Sequence, residues 1–308
     1  MSLNFLYAFD SNYNTQGCVS IYSLLENVEE QINVYVILDQ SNINFAFPEI
    51  ILNHKNLKNF IIKEINSDRK FYNVETSHIS PATFYRLYIS SLFEDEQLKL
   101  VYLDSDIICV SNPLDEIIDV FENMKKEDKT LGFADEFYRH QNDEPFRRLN
   151  MSNQKYFNAG VMFIDLETWK LKNYSKKAIE LIDILKNKAQ FWDQDILNSL
   201  VDGDYLTIDS NLNYRTAGVE IGKNIGDITF IHYSGKSKPW DIGGIFEEFS
   251  LIYHDFYKKL FGKTYHIISR NRKNSLIKFF NSLRHFRLIP FNKYLKFIFY
   301  SILAIFRK

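Results

Sequence analysis

Short apolar runs alternate with segments of helical periodicity through most of this chain. The runs that predict strands cover residues 4–9, 32–38, 60–65, 98–103, 131–134, 160–164 and 228–232. The segments that predict helices cover residues 16–27, 80–93, 166–188 and 194–201. Elements of this length in alternation favour an α/β fold, with a mainly parallel sheet flanked by helices.

The distribution of charge divides the chain into two parts. The 308 residues carry a formal net charge of −2, but residues 256–308 hold 13 Lys and Arg and no Asp or Glu. The residues before them hold 24 basic and 39 acidic side chains. We therefore predict an α/β domain at residues 1–262 and a basic tail at residues 263–308.

The composition also excludes several classes of protein. Two cysteines, Cys18 and Cys109, fit neither a disulfide framework nor a zinc motif, which favours a reducing, cytoplasmic setting. The apolar run within residues 3–10 is too short for a signal peptide and reaches an acidic residue, Asp10, too early. No apolar stretch approaches the roughly 20 residues that span a bilayer. The absence of G-x-G-x-x-G and of a phosphate-binding loop motif argues against dinucleotide-binding and NTPase functions.

The apolar run at residues 98–103 leads directly into two carboxylates, Asp104 and Asp106, with Ser105 between them. In an extended segment, side chains two residues apart lie on one face. Mg²⁺ and Mn²⁺ prefer oxygen ligands and commonly bridge protein carboxylates to substrate phosphates. The pair therefore predicts a metal–diphosphate site at the carboxyl edge of the sheet, and the alternative is a solvated pair that caps a turn.

Five further motifs occur in compatible places. They are Tyr7-Ala8-Phe9-Asp10-Ser11-Asn12-Tyr13, His78-Ile79-Ser80 with Arg86, Phe157-Asn158-Ala159-Gly160-Val161, Asp193-Gln194-Asp195-Ile196-Leu197-Asn198, and His232-Tyr233-Ser234-Gly235 followed by Lys238-Pro239-Trp240. Together with the Asp pair they resemble glycosyltransferase family 8 over residues 3–262. The resemblance implies a GT-A fold and a retaining, metal-dependent enzyme that uses a nucleotide sugar. It is closest to the bacterial galactosyl- and glucosyltransferases of lipopolysaccharide biosynthesis.

The resemblance implies that His232 is the third metal ligand beside Asp104 and Asp106. An imidazole suits Mn²⁺ better than Mg²⁺, so we expect manganese, with magnesium as the alternative. Ser105 is expected to belong to the same donor site. A histidine that ends an apolar strand can also be purely structural, and that alternative stays open for His232.

The remaining donor contacts also follow from the resemblance. The backbone of Ala8 and the side chains of Asp10 and Asn12 are implied to hold the uridine, and the alternative is a simple polar turn. The diphosphate is implied to contact His78, Gly235 and Lys238. A glycine lets the backbone approach a phosphate, and a lysine offers positive charge to the leaving group.

The sugar pocket and the catalytic residues are implied in the same way. The residues of the pocket are Arg86, Asn158, Ala159 and Gly160, and the expected catalytic residues are Gln194, Asp193 and Arg86. The resemblance places Asp193 on a sugar hydroxyl and the Gln194 carbonyl near the anomeric carbon. An amide is a poor nucleophile, so we expect a front-face route in which the departing phosphate oxygen assists the incoming hydroxyl. The alternative is that residues 193–195 only cap a helix.

The basic tail carries an apolar stripe at helical spacing, formed by Leu276, Phe279, Phe280 and Leu283. A basic amphipathic helix with exposed aromatic residues is typical of a protein bound to an anionic membrane surface. We therefore expect an enzyme that is peripheral on the inner face of the cell membrane. The alternatives are packing against the rest of the chain or a second subunit, and nucleic-acid binding, which we do not expect.

The sequence thus predicts transfer of Gal or Glc from a UDP-sugar to a hydroxyl of a glycan such as lipopolysaccharide, with an α-linkage. One alternative is a glycogenin-like enzyme that glucosylates its own tyrosines, of which the chain has 19. Another is a non-catalytic nucleotide-sugar-binding protein. The basic tail favours an external, lipid-bound acceptor, and the full set of metal and sugar residues favours catalysis. An acceptor loop is expected within residues 136–156.

Overall fold

A computed structural model describes residues 3–66, 80–136, 144–217, 224–235, 237–269, 271–285 and 290–306. The chain forms two compact units. The first consists of Met1–Tyr214 and Lys223–Phe230, and the second of Arg215–Gly222 and Ile231–Lys308. The first unit therefore holds most of the predicted strands, and the second holds the basic tail.

All seven predicted strands are present, with ends that differ from the prediction by at most three residues. The strands are β1 (Asn4–Ala8), β2 (Ile32–Asp39), β3 (Leu57–Ile65), β4 (Lys99–Leu103), β5 (Ile107–Cys109), β6 (Leu131–Asp135), β7 (Phe157–Asp165), β8 (Leu206–Thr207), β9 (Tyr214–Arg215) and β10 (Phe230–His232). The three short strands β5, β8 and β9 were not predicted. Seven of them form a sheet in the order β3-β2-β1-β4-β7-β6-β8. Strand β7 is antiparallel to β4 and β6, and the other neighbours are parallel, which confirms the mainly parallel sheet.

Helices flank this sheet and continue into the tail. They are α1 (Asn14–Asn27), α2 (Glu49–Leu52), α3 (Ile89–Leu92), α4 (Leu114–Lys126), α5 (Glu144–Leu149), α6 (Leu166–Leu171), α7 (Tyr174–Leu185), α8 (Trp192–Val201), α9 (Ser250–Phe261), α10 (Arg272–Ser282) and α11 (Phe291–Phe306). Short 3-10 helices lie at Ser11–Tyr13, Pro81–Tyr88, Ser210–Asn213, Ile225–Asp227, Gly244–Phe246 and Leu283–His285.

The central strands are apolar on both faces. Every residue of β1 is buried, and β2 and β7 are buried at all positions except the last. A parallel strand covered by helices on both faces reads as a continuous apolar run, which explains the strength of these segments in the sequence. In the pairing of β4 with β7, Leu103 lies opposite Val161, so Asp104, directly after β4, lies beside Gly160 of β7.

The segment predicted as one helix over residues 80–93 is instead a 3-10 helix, Pro81–Tyr88, followed by α3. The Ser80 hydroxyl caps it, because its oxygen accepts a hydrogen bond from the Ala82 N–H at 3.0 Å. In a 3-10 helix, side chains three residues apart lie in line. Thr83 and Arg86 therefore project on the same side, which decides what they contact.

The single helix predicted over residues 166–188 is also divided. Helix α6 ends at Leu171, and Asn173 adopts the left-handed conformation with φ 54° before α7 begins. Asparagine adopts the left-handed conformation more readily than most residues with a side chain. The helix therefore breaks at a residue that adopts this conformation at low cost.

The second unit packs aromatic residues around a small core of its own. Ile245, Tyr265, Tyr294 and Phe297 are buried together, and the last two come from α11. The Tyr294 hydroxyl also donates to the Leu283 carbonyl at 3.0 Å, tying α11 to the end of α10. Among the described residues, no helix has both the length and the apolar character needed to cross a membrane.

Candidate active site

The two predicted metal-binding carboxylates follow directly after β4. Asp104 and Asp106 are both half-buried, and their carboxylate oxygens approach within 4.8 Å of each other. The Asp104 N–H donates to the Gly160 carbonyl at 2.9 Å, and the Ile107 N–H donates back to the Asp104 carbonyl at 3.2 Å. The pair therefore lies in a hydrogen-bonded turn between β4 and β5, not in the extended segment that the sequence predicts.

Arg86 is buried, with 3% of its surface exposed, and joins three parts of the first unit. Its Nη2 atom is 2.7 Å from the Asp104 carboxylate, and its Nε atom is 3.0 Å from the Asp193 carboxylate. Its Nη1 donates to the Ala159 carbonyl at 2.5 Å. Burial opposes the charge of Arg86, but the two carboxylates outweigh it and raise the pKa above the ordinary arginine value. The side chain is therefore a fixed cation between the Asp pair and α8.

Asp193 lies in the first turn of α8 and is 4% exposed. Burial raises the pKa of its carboxyl to about 6, although Arg86 and a hydrogen bond from Thr83 act in the opposite direction. Tyr102, which precedes the Asp pair on β4, donates to Asp104 at 2.8 Å, and the Arg86 guanidinium lies 4.1 Å from the centre of its ring. Two carboxylates and one cation thus share a single buried network.

Gln194 is held by the start of β7. Its Oε1 atom accepts hydrogen bonds from the Asn158 side chain at 3.1 Å and from the Ala159 N–H at 3.2 Å. Asn158 is oriented in turn, because its Oδ1 accepts from the Gly160 N–H at 3.0 Å and from the Asn213 side chain at 3.0 Å. The structure therefore brings together Gln194 and the three predicted sugar-pocket residues of β7.

Asp195 faces the interior of the first unit. It is 0% exposed, and its carboxylate accepts from the Gln190 and Phe191 N–H groups at 2.7 and 2.9 Å. Arg148 forms an ion pair with it at 2.7 Å, and the Tyr156 hydroxyl donates to it at 2.6 Å. Asp195 thus caps the chain entering α8, so the helix-cap alternative describes this residue.

The predicted uridine-binding residues lie at the carboxyl end of β1. Ala8 is the last residue of that strand and pairs with Ile37 of β2. The Asp10 carboxylate accepts from the Asn12 N–H at 2.9 Å and from the Asn12 side chain at 3.1 Å. The segment is therefore a capped polar turn, and Asn12 is exposed at its tip.

His232, Gly235 and Lys238 belong to the second unit. His232 ends β10 and is 4% exposed. Gly235 has φ 83°, and a Cβ there would lie 2.7 Å from the Ala217 Cβ, so the position requires glycine. The Lys238 ammonium donates to the Tyr233 carbonyl at 2.5 Å. His78 lies outside the described residues.

Several residues of this network were missed by sequence reasoning. Thr83 and Tyr102 could have been found, because each lies at the periodic spacing of its element that shares a face with Arg86 or Asp104. Tyr156 directly precedes a predicted motif. No local pattern marks Arg148, because its partner Asp195 is 47 residues away along the chain.

Comparisons with known proteins agree with the motifs. The model of glycosyl transferase family 8 matches residues 4–242. A lipopolysaccharide 1,3-galactosyltransferase of Salmonella typhimurium is 28% identical over 256 residues, which cover 79% of this chain and 74% of that protein. A lipopolysaccharide 1,2-glucosyltransferase of Escherichia coli K12 is 28% identical over 252 residues, covering 77% and 72%.

The fold is that of a solved galactosyltransferase. A crystal structure of the galactosyltransferase LgtC, in complex with donor and acceptor sugar analogues, superposes with a TM-score of 0.68. The superposition covers 84% of this chain and 96% of LgtC at 22% sequence identity, which confirms the predicted GT-A fold. Since the family model spans residues 4–242, this chain belongs to glycosyltransferase family 8.

Proposed function

We propose that the protein transfers a hexose, Gal or Glc, from a UDP-sugar to a hydroxyl of a glycan acceptor, with retention and an α-linkage. The observation that carries the proposal is the buried network in which Arg86 joins Asp104 to Asp193, next to Gln194. Cations and polar groups held in fixed positions around a half-buried carboxylate pair suit a reaction in which charge develops on a leaving diphosphate. The names of the lipopolysaccharide relatives support a glycan of that kind as acceptor.

We place a divalent cation, Mn²⁺ or Mg²⁺, on Asp104, Asp106 and His232. The Asp104 and Asp106 carboxylate oxygens lie within 4.8 Å of each other, and two carboxylates with one imidazole fit the ligand preferences of Mn²⁺. When bound, such an ion neutralises the charge that develops on UDP as the sugar bond breaks. Lys238 is proposed to act on the same diphosphate, with Ser105, Gly235 and His78 in the donor site.

The uridine is proposed to lie at Ala8, Asp10 and Asn12. Ala8 ends β1, and Asp10 and Asn12 follow it at the carboxyl edge of the sheet, where open α/β sheets bind their ligands. Asp10 is positioned by its contacts with Asn12, and the exposed amide of Asn12 is suited to pairing with uracil.

In the proposed reaction Asp193 and Arg86 hold the sugar, and Gln194 stabilises positive charge at the anomeric carbon. The Gln194 amide is a poor nucleophile, and the carboxylate of Asp195 is 0% exposed with donors on both oxygens. These facts support the front-face route, in which the departing phosphate oxygen takes the proton of the incoming hydroxyl. A trapped glycosyl adduct on Asp193, Gln194 or Asp195 that turns over would exclude this route.

The first test is UDP release from a panel of nucleotide sugars with Mn²⁺ and then with EDTA. We expect turnover of one UDP-hexose, lost with EDTA and in Asp104→Ala. Asp227→Ala is the matched control, because Asp227 is an exposed aspartate of the same unit and should leave the rate unchanged. A folded protein that neither releases UDP from any donor nor binds UDP with Mn²⁺ in calorimetry would contradict the proposal.

The two alternatives give different results in the same experiment. A glycogenin-like enzyme would gain the mass of one or more hexoses, which intact-mass measurement after incubation with donor detects. A non-catalytic binding protein would bind UDP and Mn²⁺ but hydrolyse the donor only at the background rate.

We also propose that the tail, residues 263–308, binds an anionic membrane surface and places the enzyme on the cytoplasmic side of the cell membrane, without nucleic acid as a partner. One side of α11 is buried, and its other side exposes six large apolar residues, namely Phe291, Leu295, Phe299, Ile302, Leu303 and Phe306. The residues from 256 onward carry no acidic side chain, so the charge of the segment complements an anionic lipid surface.

Sedimentation with vesicles tests this surface. The full-length protein should bind vesicles containing anionic phosphatidylglycerol, and neutral phosphatidylcholine vesicles much less. Replacing Phe299 and Leu303 by Ser should weaken binding without lowering donor hydrolysis. A protein that stays in the supernatant and is a dimer would instead assign the exposed face to a second copy.

A further inference from the structure

The oxygen end of the Gln194 amide is fixed by the backbone. The nitrogen and oxygen ends of a glutamine amide have nearly the same shape, and hydrogen-bond partners decide which way it points. The Ala159 N–H can only donate, and it lies 3.2 Å from Oε1. The Asn158 Nδ2 is a second donor to the same oxygen at 3.1 Å. The oxygen of Gln194 must therefore lie on the β7 side.

The nitrogen end meets a tyrosine hydroxyl. Gln194 Nε2 lies 3.2 Å from the Tyr156 hydroxyl oxygen, and that hydroxyl lies 2.6 Å from Asp195 Oδ1. A tyrosine has one hydroxyl proton, and a carboxylate can only accept it. With the proton on the Asp195 side, the Tyr156 oxygen is an acceptor for the Gln194 amide.

Asp195 is held so that it keeps this acceptor role. Its other oxygen accepts from the Gln190 and Phe191 N–H groups, and Arg148 of α5 forms an ion pair with it at 2.7 Å. The carboxylate is fully buried, and a buried charge with this many donors is costly to displace. Gln194 thus donates to Tyr156 and Tyr156 donates to Asp195, while Arg148 holds Asp195 as the final acceptor.

We propose that Tyr156 is a positioning residue that holds the Gln194 amide by its nitrogen and so fixes the face that the amide presents to the donor sugar. This inference rests on the proposed role of Gln194. The Tyr156 ring is also part of the core of the first unit, so packing and positioning must be separated by experiment.

Tyr156→Phe removes the hydroxyl and keeps the ring. We expect kcat for UDP-hexose hydrolysis to fall about tenfold, with the KM for the donor changed less than about twofold. Tyr205→Phe is the matched control, because Tyr205 is also buried and its hydroxyl also donates to a carboxylate, Asp135. It should lose similar stability and keep its kcat. Equal kcat values in the two variants would overturn the inference.

A double-mutant cycle with Gln194→Ala tests whether Tyr156 acts through Gln194. In the Gln194→Ala background, Tyr156→Phe should lower single-turnover hydrolysis no further. A full additional loss would overturn the inference while leaving the role of Gln194 intact. A Gln194→Ala variant with unchanged kcat would instead overturn the proposed role of Gln194 itself.

A readout that does not depend on turnover completes the test. In protein labelled with ¹⁵N-glutamine, the Gln194 side-chain amide signal is identified by its loss in Gln194→Ala. It should shift or broaden in Tyr156→Phe and stay in place in Tyr205→Phe. A signal that does not respond to Tyr156→Phe would overturn the inference even in a protein that hydrolyses no donor.

Discussion

Arg86 shows how much one side chain can organise at the residue scale. Its guanidinium contacts the carboxylates of Asp104 and Asp193, the Ala159 carbonyl and the ring of Tyr102. A guanidinium offers five donors in a planar fork, which a lysine ammonium cannot reproduce. The contacts of Arg86 therefore depend on the shape and donors of the guanidinium and not only on its positive charge.

Arg86→Lys is accordingly expected to be far from conservative. Lysine keeps one positive charge but cannot reach both carboxylates, so Asp193 loses its buried partner. We expect donor hydrolysis to fall by about 10²-fold or more, with a loss of about 1–3 kcal/mol in the free energy of unfolding. Arg147→Lys, at an exposed arginine of the same unit, should change neither quantity in the same kinetic and urea-unfolding measurements.

Among the elements, the 3-10 helix Gly244–Phe246 lies unusually close to the segment that carries Lys238. A Cβ built on Gly244 would lie 1.9 Å from the Lys238 carbonyl oxygen. Because that oxygen is backbone, it cannot move aside without shifting the chain. The glycine thus fixes the position of a residue proposed to contact the diphosphate.

Gly244→Ala should therefore lower the free energy of unfolding by about 1–3 kcal/mol or more. Gly226→Ala is the control, because a Cβ there meets no atom within 4 Å. Urea unfolding of the two variants measures the difference. Equal free energies of unfolding in the two variants would mean that the backbone at Lys238 can shift at little cost to make room for the added methyl group.

Two histidines, the buried His254 and the half-buried His266, make the second unit sensitive to acid. Burial lowers the pKa of His254 to about 3 and that of His266 to about 4. His254 is neutral with both ring nitrogens engaged, one by the Pro239 carbonyl at 2.9 Å and one by the His266 N–H at 3.3 Å. The unfolded chain binds protons at these residues below about pH 6.5, but the folded chain does not.

The contribution of these two histidines to the free energy of unfolding should therefore be complete above about pH 6.5 and should be lost as the pH falls toward 4. Each histidine contributes a slope of up to about 1.4 kcal/mol per pH unit in that window. His254→Gln should reduce the slope by one such contribution, as measured by urea unfolding between pH 5 and 8. An unchanged slope would show that His254 is protonated in the folded protein.

For the whole molecule, the proposed function predicts stabilisation by ligand. UDP with Mn²⁺ at 100 times its Kd should add about 2.7 kcal/mol to the free energy of unfolding, because only the folded state binds it. The midpoint of thermal unfolding, Tm, should rise when UDP and Mn²⁺ are added. It should not rise with UDP and EDTA, or in the Asp104→Ala variant. A shift that survives EDTA would separate nucleotide binding from the metal.

The sequence by itself determined the mainly parallel sheet, because buried strands are long apolar runs that need no knowledge of their neighbours. It also determined the family, because the six motifs are short and local. The residues proposed for the donor site at the ends of β1 and β4 were named from these motifs. Asp104 and Arg86, which two separate motifs supply, meet at 2.7 Å.

Only the tertiary structure decided how the site is supported. Arg148, Asp195 and Tyr156 meet across 39 to 47 residues of chain, and no periodicity encodes a contact of that range. The 3-10 winding at Pro81–Tyr88, which turns Thr83 and Arg86 toward Asp193, is likewise set by packing. Local patterns record which face of an element is buried, whereas the partner of a buried charge is fixed only when the elements pack.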